Sequence, residues 1–100
     1  MTRKIDELKQ IFKNAEIVQA EARAVAIEKA FEVVLEGCSE VARQARPTYS
    51  VTIDKLFPRG VGGLDPERLT MCLIARLNQE GIDAERLKTA RSIRVQGWAS

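Results

Sequence analysis

Histidine is absent from the 100 residues, and with it go the commonest general base, the usual zinc ligand and the side chain that titrates near neutrality. Serine and threonine therefore lack the partner that normally activates them, and no lysine falls in an apolar stripe where its pKa would drop. Cysteine is scarce: Cys38 and Cys72 stand far apart with no CxxC neighbour, which argues for reduced core thiols rather than a disulfide or a redox pair. Long apolar runs are missing too, and no window approaches the ~18 residues that a membrane span needs. The first ten residues, MTRKIDELKQ, do not read as a signal peptide. A soluble, cytoplasmic protein is expected, in a host cytoplasm or a virion if the source is viral. Strong charge of one sign is also lacking. Sixteen Lys and Arg against 14 Asp and Glu leave a net charge of +2, too little for composition alone to indicate a nucleic-acid partner.

What is present is a globular composition, 45% hydrophobic and 30% charged, in a chain long enough for one modest core. Residues 3–45 contain no proline and a single glycine, Gly37, and are rich in strong helix formers. Thr2 is the expected N-cap, with Asp6 and Glu7 set against the positive end of the helix dipole. Apolar residues recur by threes and fours at Ile5, Leu8, Phe12 and Ala15, then at Ala24, Ile27, Phe31, Val34, Cys38, Val41 and Ala45, the mark of a buried stripe. Ile17, Val18, Ala20, Ala22, Val25 and Ala26 carry the apolar surface around the cylinder between these two runs, so one helix can face two partners.

Length then sets a problem. About 34 residues of unbroken helix would run roughly 50 Å, against a radius of gyration of about 13 Å for a compact domain of this size. Either the segment breaks near Asn14–Ala15 or at Gly37, folding back as a hairpin, or it stays straight and buries its surplus apolar face in another copy. The second is favoured, because nothing before Gly37 marks a break and the alanine-rich middle permits close helix approach. The expected interface residues are Ile5, Leu8, Phe12, Val18, Val25, Ile27, Phe31 and Val34.

Pro47 ends the helical region by driving Arg46 out of the α basin. Thr48–Asp54 alternates Tyr49, Val51 and Ile53 against polar residues, the pattern of a half-buried strand. Leu56–Pro58 lead into Arg59–Gly63, a glycine-rich connector. Asp65 as N-cap and Pro66 at the first helical position open a second helix, whose Leu69, Met71, Cys72, Leu73, Ile74 and Leu77 suggest burial and whose end is set by Gly81. Ile82–Leu87 reads as a strand in preference to a short helix capped by Asp83. Ser92–Trp98 reads as a last strand with Ile93 and Val95 on its inner face and Gly97 permitting a bulge. The fold class predicted is α+β: a long N-terminal helix, residues 1–46, acting as an oligomerisation arm, then a small β-α-β(β) unit over residues 47–100, together one domain.

Three constellations have chemical interest. Gly60, Gly62 and Gly63 precede a helix, but they lack the Gly-Lys-Ser/Thr of a phosphate loop, and Asp65 would repel an anion there. Glu28, Glu32, Glu36 and Glu40 share a helix face, yet carboxylate metal sites in helix bundles normally add ExxH pairs, so this row more simply keeps a helix solvated. Arg59, Arg86, Lys88, Arg91 and Arg94 form a C-terminal basic group that could contact a nucleotide or nucleic acid, with Tyr49 or Trp98 for stacking. The order of parts, a helix, the YSVTI strand at Tyr49–Ile53, a helix ending in Gly81–Ile82 and a final strand closing on Trp98, resembles small accessory proteins encoded by bacteriophages. That resemblance implies a virion component or an inhibitor or sponge acting on a host protein, and supplies no active residue. The expected function is a non-enzymatic, self-associating interaction protein with no cofactor and no metal. The alternative is a nucleotide or nucleic-acid binder.

Overall fold

Helix α1 runs without interruption from Lys4 to Arg43, about 60 Å at 1.5 Å per residue. The computed structural model describes residues 3–88 and 90–98. Thr2 lies outside them. The residue that precedes the helix is Arg3, whose side chain makes no capping bond, and Asp6 and Glu7 sit in the first turn. Neither Asn14–Ala15 nor Gly37 breaks the helix. At Gly37 a Cβ would fall 2.2 Å from Tyr49 Cζ, so a residue poorly suited to helices stands here because an aromatic ring lies against the backbone. The helix ends in a Schellman motif: Arg46 N–H donates to Val41 O at 2.9 Å and Ala45 N–H to Ala42 O at 3.0 Å. Ala45 takes the left-handed position, φ 58°, that glycine usually fills.

Strand β1 is Thr48–Thr52, shorter than the alternation suggests. Thr52 Oγ1 accepts from Lys55 N–H at 3.3 Å, capping a helical turn, α2, at Ile53–Leu56. Ile53 is still fully buried. Helix α3, Pro66–Gln79, starts as its sequence dictates, with Asp65 Oδ1 accepting from Arg68 N–H at 2.8 Å. It ends with Ile82 N–H on Leu77 O at 3.0 Å and Gly81 at φ 79°. Its buried residues are Leu69, Thr70, Leu73, Ile74 and Leu77. Met71 and Cys72 are exposed. The sequence pattern predicts both in the core; a helix resting on a sheet buries one face, and Met71 falls two residues and Cys72 one residue off the Leu69–Leu73–Leu77 row. Strands β2, Asp83–Leu87, and β3, Ser92–Gln96, complete the described elements.

The strands form an antiparallel sheet in the order β1-β3-β2. Its register sets Val51, Ile93 and Arg86 side by side, and Tyr49, Val95 and Ala84 likewise. This face meets α3 and the C-terminal half of α1, and the shared core is Ala30, Phe31, Val34, Cys38, Val51, Phe57, Leu69, Leu73, Leu77, Ala84, Ile93 and Val95. Each large aliphatic side chain fully buried there contributes about 2 kcal/mol of hydrophobic stabilisation. The opposite face carries Ser50, Arg94 and Glu85 to solvent. Trp98 closes the unit, its Nε1 donating to Arg46 O at 2.9 Å. The result is α+β: a small two-layer head with a helical arm projecting from it. The radius of gyration is 17.5 Å and the extents are 67 × 25 × 16 Å, well beyond a compact domain of this length.

Candidate interaction surface: the projecting arm

Every residue from Arg3 to Glu21 is exposed, although six of them are large and apolar: Ile5, Leu8, Ile11, Phe12, Ile17 and Val18. Phe12 is 63% and Val18 64% exposed, and Val25, already level with the head, is 54% exposed. Leu8, Ile11, Ala15, Val18, Ala22 and Val25 follow one another by alternating steps of three and four, which places them on one slowly left-winding stripe. Ile5 and Phe12 flank that stripe, and Ile17 falls off it. Polar residues bound it at Lys4 and Lys29.

The head grips a different side of the same helix. Ile27, Ala30, Phe31, Val34 and Cys38 face the core, and at 100° per residue they stand nearly half a turn from the Ala22–Val25 end of the stripe. Phe31 and Val34, expected from sequence at an interface between chains, are therefore core residues of their own chain, and Ile27 packs partly against that core. Their three-and-four spacing is satisfied by α3 and the sheet. The guanidinium of Arg76 lies 4.3 Å from the Phe31 ring centroid and pairs with Glu80 and, at 3.4 Å, with Glu28. The arm's root is fixed by the glycine-rich loop. Arg23 Nη1 donates to Gly62 O at 2.7 Å, and Gly62, at φ 57°, sits so close that a Cβ would meet Gln19 O at 2.4 Å. This segment is thus docked on α1, a contact that its turn composition conceals.

Charge is segregated along the arm. Residues 3–13 carry Arg3, Lys4, Lys9 and Lys13 against Asp6 and Glu7, while residues 14–28 carry Arg23 against Glu16, Glu21 and Glu28. The first stretch is a net cation and the second a net anion of the same size.

The C-terminal basic group does not converge. Arg86 points to the helix-covered side, where Nε and Nη2 grip the Glu67 carboxylate at 2.9 and 2.7 Å and Nη1 donates to Ala90 O at 3.0 Å. The Arg86 hydrogen bond holds Glu67 below the ordinary carboxylate pKa. Arg94 points to the open side and pairs with Glu85, and Arg91 pairs with Asp54 at 3.4 Å. Arg59 and Lys88 are exposed elsewhere, in the glycine-rich loop and after β2. Tyr49 lies against Gly37 and Trp98 against Arg46, so neither ring stands free for stacking. The glutamate row on α1 is exposed; Glu28 meets Arg76, and Glu40 meets Arg43 at 3.8 Å. Among the described residues no helix is long and apolar enough to cross a membrane. Comparison of the chain with protein-family models, with curated proteins and with solved structures found no match.

Proposed function

We propose that this protein is a non-catalytic, self-associating interaction module, in which the α1 arm builds the oligomer and the α+β head is the part displayed to other molecules. The observation that supports the reading is the arm's open apolar surface: six large aliphatic or aromatic side chains project into water over residues 5–18, five of them on or beside one stripe, more apolar surface than a monomer of this size usually leaves uncovered. A second copy offers the same stripe and burial for both. The expected result of size-exclusion chromatography with light scattering is a mass above the 11.2 kDa of one chain at micromolar concentration, returned to one chain by Leu8→Asp with Val18→Asp. A monomer from the unaltered protein overturns the reading.

Nucleotide or nucleic-acid contact has less support, since three of its five cations are engaged by Glu67, Asp54 and Glu85. It calls for binding that weakens steeply with salt and with Arg91→Ala plus Arg94→Ala. The resemblance to phage accessory proteins adds no residue to either reading.

A further inference from the structure

We infer that two copies pair through their arms in antiparallel orientation, Leu8 of one chain level with Val25 of the other; this rests on the self-association proposed above and specifies its partner and register. The stripe alternates bulk in a way that suits one orientation. Laid antiparallel about its midpoint, it matches Leu8 with Val25, Ile11 with Ala22, and Ala15 with Val18. Every layer then combines a larger with a smaller side chain, and the layers fill more evenly than in the parallel arrangement. Laid parallel and in register, it stacks Leu8 on Leu8 and Ile11 on Ile11 but Ala15 on Ala15 and Ala22 on Ala22. The seam would then be overfilled at one end and hollow at two layers, at the cost of voids.

Charge opposes the parallel alternative. Parallel pairing sets the cationic stretch 3–13 on itself and the anionic stretch 14–28 on itself, whereas this antiparallel register lays residues 3–13 of each arm along residues 20–30 of the other, where Glu21 and Glu28 balance Arg23 and Lys29. Glu28, which would approach Glu7 of the second copy, is already held by Arg76 at 3.4 Å. Lys4 and Lys29 close the seam at its two ends with long side chains that reach water. The heads are no obstacle, because they hold α1 by the Ile27–Phe31–Val34 side, nearly half a turn from the Ala22–Val25 end of the stripe. Such a pair carries its heads at opposite ends of a rod on the order of 80 Å long.

Cysteine cross-linking tests this in a Cys72→Ser background, Cys38 being buried in its own chain. Leu8→Cys and Val25→Cys, both at exposed positions, are oxidised separately and as an equimolar mixture. In the antiparallel seam two copies of position 8 stand about 25 Å apart along the axis, beyond the ~7 Å Cα reach of a disulfide. Each variant alone is expected to stay uncross-linked, and the mixture to give a disulfide-linked 8-to-25 pair. Cross-linking within each single variant and none gained on mixing shows parallel arms and overturns the inference. No disulfide in any sample, while light scattering still returns a dimer, overturns this register and leaves self-association standing. A monomeric mass for the unaltered protein removes both.

Discussion

Ala45 holds a left-handed backbone, φ 58°, that costs an L-residue about 1–2 kcal/mol and glycine almost nothing. Its N–H must still turn back to Ala42 O for α1 to stop and let Pro47 lead into β1. Ala45→Gly is therefore expected to stabilise the protein by about 1 kcal/mol, read as a higher urea midpoint at unchanged slope; a lower midpoint would show that the conformation is not strained. The two thiols separate just as sharply. Burial lifts the Cys38 pKa from 9.0 to about 11, which cuts its thiolate population near pH 8 about a hundredfold. Cys72 is open on α3. Ellman's reagent should react promptly with one thiol of the native protein and with the second on unfolding, and Cys72→Ser should abolish the prompt phase. Neither difference was legible in the chain. Cys38 and Cys72 have similar apolar neighbours in sequence, and it is the side of the helix resting on the sheet that buries one and exposes the other.

Among the elements, those with explicit punctuation were readable: Asp65–Pro66 and Gly81–Ile82 bracket α3, and the Ile93/Val95 alternation marks β3. Strand β1 stops at Thr52 where its alternation continues, because a threonine that favours a strand can equally cap a turn with its hydroxyl. Of the expected interface residues, Ile5, Leu8, Phe12, Val18 and Val25 are exposed, whereas Phe31 and Val34 are buried in their own chain. Periodicity identified Phe31 and Val34 as buried positions, but it does not say whether the burying surface belongs to the same chain or another. The Gly62 loop lies docked on α1 through Arg23, and no local pattern signals so long-range a contact. Between α3 and β2 the Glu67–Arg86 pair ties helix to edge strand. Glu67 has its pKa lowered in the fold from 4.5, first by the Arg86 hydrogen bond and then by the charges of Arg86 and Arg91. Its stabilising contribution is thus complete above that ordinary value and is lost as pH falls through the lower folded one. The urea midpoint of the unaltered protein should exceed that of Glu67→Gln at pH 7, and the gap should narrow as pH falls below the ordinary carboxylate range; a gap independent of pH would mean that the carboxylate charge is not what binds the strand.

At the scale of the whole molecule, the head has what a small α+β unit needs: an antiparallel sheet covered on one face by α3 and by half of α1. The other half of α1 has no such cover. Isolated helices of about 15 residues are marginal in water, and the stretch Lys4–Val18 makes no burying contact with the head; in the assembly proposed above, packing against a second copy reinforces its order. The Leu8–Val25 stripe is the surface that the proposed second copy covers. Hydrogen exchange at the amides of residues 4–18, followed against protein concentration, reads that packing where it occurs. Strong protection at micromolar concentration, lost on dilution and in the Leu8→Asp, Val18→Asp variant while the α3 and β3 amides stay protected, is the predicted result. Rapid exchange along the arm at every concentration would contradict the account.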